Sequence, residues 1–503
     1  MSFLAWIALV PLFLALLSTS PKFGFLLSLL CGVVFFAGVF SWGLEVYSYT
    51  YLHHFLLSLC FGSYLAFIGL AIGLISRRSG ATIALFAAPF VWVSMEYLKS
   101  TYTFLAFPWG LLAHTQHQNP TIIQIASVTG AYGVSFLVVV VNSACTAMLL
   151  PRVCTLTKAK STFDNPVSRR GVITIVCIAA ILTSLSLLYG QTSLSKPIIG
   201  KGIKVAVVQG NIEQAKKWNR RFAKFIMKTY ADLTLEASYE KPELIIWPET
   251  ATPGSISKDS TIYRHVRRIG SAAGTYLLLG SSEYQKFKGS ASSKVKKVFN
   301  SAFLIPPDEK AKHERYSKLR LLPFGEYLPL KDTIPWPYIN VPLVSESVPG
   351  GEFTVFEHPS FRFGVTICWE NIFPDLVRQF VKRGAQLIVN ITNEAWFGKT
   401  AAPYQFVSMS VFRAVENRVF VVRCANTGVS CFIDPYGRIA DRVKDENGQD
   451  LFIRGVLTRE VIPMESKTIY TRYGDLLAWL SLLCSAGFLL IALLRRNTDS
   501  HSK

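Results

Sequence analysis

Seven long stretches almost free of charge constrain this chain more than anything else in it. They run roughly over 3–19, 23–43, 53–76, 82–98, 121–150, 171–190 and 475–494. A bilayer core takes about 20 apolar residues per helix, so each stretch is a candidate span. Half of the 503 residues are hydrophobic, and they cluster rather than alternate, which excludes an ordinary soluble enzyme. The first stretch is short enough for a signal peptide. It lacks a basic start and runs straight into the next apolar segment, so it reads as a span.

Lysine and arginine orient the spans. One set of alternate loops holds Lys22, Arg77, Arg78, Arg152, Lys158, Lys160, Arg169 and Arg170, and Arg495 and Arg496 follow the last span on the same side. The other set has none between 44 and 52 and only Lys99 between 99 and 120. The first set is therefore expected in the cytoplasm, with the N-terminus and the long segment 191–474 outside it and the C-terminus inside. Expected domains are a membrane part at 1–200, an extracytoplasmic domain at 201–470, and a final helix with a short tail at 471–503.

The formal net charge of +20 reflects solvated surface and positive-inside loops. Basic runs at Lys286–Lys288, Lys294–Lys297 and Lys310–Lys318 add a surface able to attract anionic headgroups. Nothing accompanies them that would recognise nucleic acid. Of nine cysteines, only Cys368, Cys424 and Cys431 belong to the external segment. No pair has CxxC spacing and no Cys/His cluster has zinc-ligand spacing, so neither a metal nor another cofactor is expected. Cys424 and Cys431 fall in successive strand-like runs and read as small buried side chains.

From about 201 the pattern changes. Strand signals at Lys204–Gln209, Glu243–Trp247, Tyr276–Gly280, Phe363–Ile367, Gln386–Ile391, Val419–Arg423 and Val429–Ile433 alternate with helical stretches, which predicts a layered α/β domain. Glu249, in Leu244-Ile245-Ile246-Trp247-Pro248-Glu249, and Cys368, in Gly364-Val365-Thr366-Ile367-Cys368-Trp369-Glu370, each directly follow an apolar strand. Such positions present reactive side chains into a crevice. Lys318 lies between them in Tyr316-Ser317-Lys318-Leu319-Arg320. A carboxylate, an ammonium and a thiol suffice for acyl transfer through a thioester. Glu249 takes the thiol proton, Cys368 attacks a carbonyl, and Lys318 stabilises the developing oxyanion. A thiol has an ordinary pKa of about 8.5, so such activation is needed near neutral pH.

These three segments resemble the catalytic motifs of the nitrilase superfamily. Over nearly its whole length the chain resembles the apolipoprotein N-acyltransferases of bacterial envelopes. The resemblance rests on Val208-Gln209-Gly210-Asn211, Trp218-Asn219, Trp247-Pro248-Glu249, Lys318–Leu330, Cys368-Trp369-Glu370, Asn393-Glu394-Ala395-Trp396-Phe397-Gly398 and Arg413–Arg418, and in the membrane part on Glu96 and Phe107-Pro108-Trp109-Gly110. It implies a polytopic helical membrane bundle joined to an external αββα nitrilase-like domain, in the bacterial inner membrane with the catalytic domain on the periplasmic side. It implies transfer of a fatty acyl chain from a membrane phospholipid, through a thioester on Cys368, to the α-amino group of the diacylglyceryl-cysteine of apolipoproteins. Glu249 would be the base, and Lys318 with the backbone N–H after Cys368 the oxyanion site. Glu326 would orient and charge-balance Lys318, while Glu370 and Trp218 would line the entrance. Trp369, Trp396 and Phe397 would supply apolar surroundings that exclude water, with Asn393 beside them in binding substrate. A monomer is expected.

Two departures from the family stand out. Members often carry eight spans, and this chain is expected to begin at the second. Asn393-Glu394 commonly reads Asn-Asp, so the longer side chain is expected to shift a turn near the pocket. The closest rival reading is a membrane-anchored amidase using the same triad with water as second nucleophile. One anchor would suffice for it, whereas this chain devotes about 200 residues to spans. A silent scaffold would not need all three catalytic side chains. A transporter would need an intramembrane relay of ionisable groups that the spans lack.

Overall fold

A computed structural model describes residues 2–499, except 48, 103, 157–166, 218, 287–295, 331–332, 334–346 and 466. The chain forms two compact units. One comprises residues 1–44, 50–196 and 473–503, and the other 45–49 and 197–472.

Among the described residues, the first unit has six helices long and apolar enough to cross a membrane: Pro21–Val39, Tyr51–Ser79, Ala81–Thr101, Ala131–Val153, Arg169–Leu194 and Leu476–Arg495. Two of the seven apolar stretches depart from expectation. The first is a 3-10 turn at Ser2–Trp6 and a helix at Val10–Ser18 with proline in its first turn, too short to span. The run from 121 breaks at Gly130, whose φ of +68° ends a short helix before the long one begins. The short N-terminal helix is nevertheless built in: Asn142 accepts from Leu9 N at 2.9 Å and donates to Ala5 O at 2.9 Å. Helices Pro21–Val39 and Tyr51–Ser79 approach closely because glycine meets glycine. A Cβ on Gly32 would lie 2.7 Å from the Gly62 carbonyl oxygen, the small-residue contact that lets apolar helices pack without a hydrophobic driving force.

Among the described residues, the second unit is two six-stranded sheets. Its strands are β1 (Ile203–Gln209), β2 (Leu244–Ile246), β3 (Tyr276–Lys286), β4 (Lys296–Ile305), β5 (Glu314–Ser317), β6 (Val355–His358), β7 (Phe361–Ile367), β8 (Leu387–Thr392), β9 (Phe420–Ala425), β10 (Cys431–Ile433), β11 (Ile439–Arg442) and β12 (Gly455–Val461). The first sheet runs β12-β1-β2-β3-β4-β5 and the second β11-β10-β9-β8-β7-β6. In each, three parallel strands form the centre (β1, β2 and β3; β7, β8 and β9), flanked by antiparallel ones. Central strands such as Leu-Ile-Ile and Leu-Ile-Val-Asn-Ile-Thr are buried along their whole length, as strands covered on both faces must be.

Helices Ala223–Ser238 and Ser260–Ala273 cover the first sheet through Ile226, Tyr230, Leu233, Val266 and Ile269 against Ala206, Val208, Ile245 and Leu277. The latter helix starts where Asp259 accepts from Thr261 N and Ile262 N and stops at the left-handed Gly274. Helices Pro374–Lys382 and Ala402–Asn417 cover the second sheet. The sheets meet face to face, where the Cys424 thiol on β9 lies 3.4 Å from Val208 O and 3.2 Å from Ile246 O. Cys424 and Cys431 are both free and buried. This αββα stacking brings the carboxyl ends of β2 and β8 together, where the Asn393 N–H just past β8 meets the Glu249 carboxylate just past β2 at 2.8 Å.

Candidate active site

Glu249 is delivered by a sharp exit from β2. Trp247 is fully buried, stacked on Tyr230 with ring centroids 4.8 Å apart, and its indole donates to Thr234 Oγ1 at 2.8 Å. Thr250, just past the glutamate, sits at a φ of +45°. The turn presses against β3, where a Cβ on Gly280 would come within 2.7 Å of Glu249 Cα, so glycine is required there. Cys368 begins a 3-10 turn directly after β7 at a φ of +57°. A non-glycine residue in this region is uncommon and costs of order 1–3 kcal/mol, which the surrounding structure must over-determine.

Glu370 holds that elbow. Its Oε2 accepts from Ile367 N at 2.8 Å, and its Oε1 accepts from Leu319 N at 2.7 Å and Arg320 N at 3.0 Å. Tyr316 Oη donates to the same carboxylate at 2.9 Å. Glu370 was expected at the substrate entrance, but it is 0% exposed. It stitches the end of β5 to the nucleophile turn. Burial raises its pKa to about 6, against the pull of those backbone donors and of Lys318.

The three expected catalytic residues share one site. Lys318 follows β5, is buried, and donates to the Glu326 carboxylate at 2.9 Å. Burial alone would lower its pKa, but Glu326, Cys368 and Glu249 outweigh that and hold the ammonium well above the ordinary lysine range. It stays charged at every relevant pH. The Cys368 thiol moves the other way. Burial, then the Glu249 charge, push it above the usual thiol range, and Lys318 only partly opposes this. The resting sulfur is thus protonated, so attack requires a base in the same step. Glu249 is held at both carboxylate oxygens. Its Oε1 accepts from Asn300 Nδ2 at 2.6 Å and its Oε2 from the Asn393 backbone N–H at 2.8 Å.

The remaining expected residues divide. Glu326 balances Lys318 as read, and also accepts from Leu322 N at 2.7 Å. The Asn393 side chain is occupied internally, donating to Gln214 Oε1 at 2.9 Å and accepting from Asn426 Nδ2 at 2.9 Å. Its contribution to the site is its backbone N–H. Trp369 is buried against Phe373 and donates to Arg320 O at 2.6 Å, so it anchors the turn. Trp396 is exposed and Phe397 half-buried, the latter tilted against Phe406. Trp218 lies outside the described residues, as do Lys288, Lys294 and the part of the loop with Lys158 and Lys160. Glu394 has an internal partner. It forms a fully buried pair with Arg423 at 2.5 Å, and the longer side chain is accommodated by Gly428, where a Cβ would lie 1.8 Å from Glu394 Oε2. Burial raises the Glu394 pKa, opposed by Arg423.

Sequence reasoning missed Asn300 and Lys217. Asn300 sits on β4, a strand whose lysine-rich start hides it, and its Nδ2 also reaches Glu326 Oε1 at 3.4 Å. Lys217 adjoins Trp218 in a motif already singled out. It is 4% exposed and donates to Glu249 O at 2.9 Å.

The chain matches the carbon-nitrogen hydrolase family over residues 204–461 and the apolipoprotein N-acyltransferase N-terminal domain over residues 1–144. An amidase from Nesterenkonia sp. superposes with a TM-score of 0.38 at 18% identity, covering 53% of this chain and 93% of its own. The apolipoprotein N-acyltransferase of Chlorobaculum tepidum is 30% identical over 98% of this chain and 92% of its own length. That of Geobacter metallireducens is 35% identical over 99% of this chain and 92% of its own. With both units matched by their own family domains and whole-length relatives at this identity, the chain belongs to the apolipoprotein N-acyltransferase family.

Proposed function

We propose that the chain is the acyltransferase that completes lipoprotein maturation, working by a two-step thioester mechanism on Glu249, Lys318 and Cys368. In the first step Glu249 takes the Cys368 proton as sulfur attacks the acyl ester carbonyl of a membrane phospholipid. The tetrahedral oxyanion forms beside the Lys318 ammonium. Collapse breaks the acyl C–O bond, the departing oxygen takes the proton back from Glu249, and a lysophospholipid leaves. In the second step the α-amino group of a diacylated N-terminal cysteine gives a proton to Glu249 and attacks the thioester. The C–S bond breaks, the new amide forms, and sulfur recovers the proton. One carboxylate thus carries a proton each way, and one permanently charged lysine serves both oxyanions.

The observation that carries this reading is the pairing of a protonated, buried thiol with a carboxylate whose two oxygens are already held by Asn300 and Asn393. The match of the apolar unit to the apolipoprotein N-acyltransferase N-terminal domain supports this activity over that of a membrane-anchored amidase. The loop charges support an inner-membrane topology with the 201–470 domain on the periplasmic side. The expected substrate-lining set is Trp218, Trp369, Asn393, Trp396 and Phe397, and we place substrate against Trp396 and Phe397, since the Asn393 and Trp369 side chains bond internally.

Intact-protein mass spectrometry after incubation with phospholipid tests it. One added fatty acyl mass is expected, labile to hydroxylamine, absent in Cys368→Ala, and discharged by a diacylated lipopeptide. Turnover of small amides with no adduct would replace this reading with the amidase.

A further inference from the structure

The carboxylates and ammonium groups of the site do not balance without a residue that the mechanism above leaves unused. Glu249 and Glu326 bring two negative charges against one from Lys318, and proton transfer from Cys368 to Glu249 moves one of the two onto sulfur without changing the sum. Buried charges of one sign cannot accumulate without a partner. Lys217 supplies it. Its ammonium is 4% exposed, lies 2.9 Å from the Glu249 carbonyl oxygen, and interacts electrostatically with both Glu249 and Cys368.

This lysine is built in rather than folded inward by chance. It ends the one-turn helix Gln214–Lys217, whose entry is pinned to the second sheet. Ile212 N donates to Asn426 Oδ1 at 2.9 Å, and Asn426 Nδ2 returns a bond to Ile212 O at 2.7 Å. Gln214 accepts from Asn393, the residue whose N–H holds Glu249. An ammonium has three N–H donors, and among the described residues Lys217 Nζ has a single acceptor.

We propose that Lys217 is a positioning residue of this acyl-transfer site: it clamps the strained turn that aims Glu249 and supplies the charge that lets Cys368 ionise during each step. Burial lowers its pKa to about 8, with Glu249 and Cys368 resisting that shift. Its positive charge is therefore present at neutral pH and lost as pH rises through about 8. Glu249 and Cys368 face it directly. Lys318, Glu326 and the Arg423-paired Glu394 stand beyond Glu249 and interact with that carboxylate or with Cys368.

The inference rests on the thioester reading, and the test separates the two. Full-length wild type, Lys217→Met and Lys217→Arg are compared from pH 6 to 10. The readouts are acyl-enzyme formation from phosphatidylethanolamine vesicles and iodoacetamide alkylation mapped to Cys368. Wild type is expected to stop gaining reactivity, or to lose it, above pH 8. Lys217→Arg should keep the neutral-pH rate within about threefold and carry the rise to higher pH. Lys217→Met should be slower at pH 7 by on the order of 10²-fold, the scale of a misplaced catalytic group. If Lys217→Met does not fold, the arginine profile decides alone. Variants matching wild type across the range overturn the role of Lys217 and leave the thioester reading intact. A wild type that forms no adduct on Cys368 overturns both.

Discussion

Asn300 donates its side-chain amide to Glu249 Oε1 at 2.6 Å and, with the same nitrogen, reaches Glu326 Oε1 at 3.4 Å. One neutral group on β4 therefore joins the carboxylate proposed to move protons to the carboxylate that holds Lys318. Its backbone takes part as well, because Asn300 O accepts from Lys318 N at 2.8 Å. The proposed base and the proposed oxyanion cation are both bonded to a single residue.

Replacing Asn300 by alanine frees Glu249 Oε1 and should slow acyl-enzyme formation by about 10- to 100-fold with little change in unfolding temperature, the usual scale for a displaced general base. Asn300→Asp should be worse than alanine near neutral pH. A third carboxylate between Glu249 and Glu326 makes all three harder to ionise. Single-turnover acylation followed by mass spectrometry checks both. Equal rates in the two variants would show that charge at this position does not matter.

Glu370 offers a test of stability rather than chemistry. Glu370→Gln turns an amide NH2 toward a site that accepts from Ile367 N, Leu319 N and Arg320 N, leaving donors unpaired at about 1–3 kcal/mol. The sign of its pH dependence follows from its raised pKa. The fold favours the protonated carboxyl, so the contribution is fully present below the ordinary value of 4.5 and fades as pH rises through about 6. Glutamine does not titrate. The stability gap between wild type and variant should therefore narrow by about 2 kcal/mol in going from well below pH 4.5 to well above pH 6, read as unfolding midpoints in detergent. A gap that widens over this window would contradict the assignment.

How much of this was legible beforehand depends on whether the signal was local. The apolar stretches, the central parallel strands and the strand-end placement of Glu249 and Cys368 all follow from hydrophobic runs and what ends them. Strands β5, β6, β11 and β12 carry no such run, and in β4 the apolar Ala302-Phe303-Leu304-Ile305 comes only after a lysine-rich start. Gly455–Val461, for example, becomes a strand by pairing antiparallel with Ile203–Gln209 far away in the chain, and partners at that distance leave no local trace. Asn300 and Lys217 were hidden for the same reason, since each acts through a residue from another strand. The inward direction of Glu370 and Trp369 was hidden differently. Their identity was noticed, but side-chain direction depends on a 3-10 turn at positive φ that residue spacing does not reveal.

The Glu394–Arg423 pair should be intolerant of losing one partner. Both are 0% exposed, and Arg423 also donates to Asn390 Oδ1 at 2.8 Å. Arg423→Met strands a buried carboxylate next to the Asn393 N–H that holds Glu249, at a cost of roughly 3–5 kcal/mol. Adding Glu394→Gln to that variant should recover a large part of the loss. A double-mutant cycle on unfolding midpoints reads the coupling directly, and additive effects would mean that the pair is not a unit.

Topology is the broadest prediction, and it is decided by charge rather than by the folded units. Arg77, Arg78, Arg152, Arg169 and Arg170 fall in loops of one parity, while the loops of the other parity hold almost no basic residue. Long polar segments translocate largely regardless of their own charge, so the positive 201–470 region does not weigh against this assignment. Nor does the short first helix, since removing it changes only the side on which the N-terminus lies. A tag inserted in the loop between Arg152 and Arg170 should be shielded from an impermeant label in intact cells and labelled once they are opened. A cysteine introduced at the exposed Ser360 in the second unit should label in intact cells, with the parent protein as background. The reverse pattern would place the Cys368 site in the cytoplasm, on the opposite side of the membrane from the lipoproteins it is proposed to acylate.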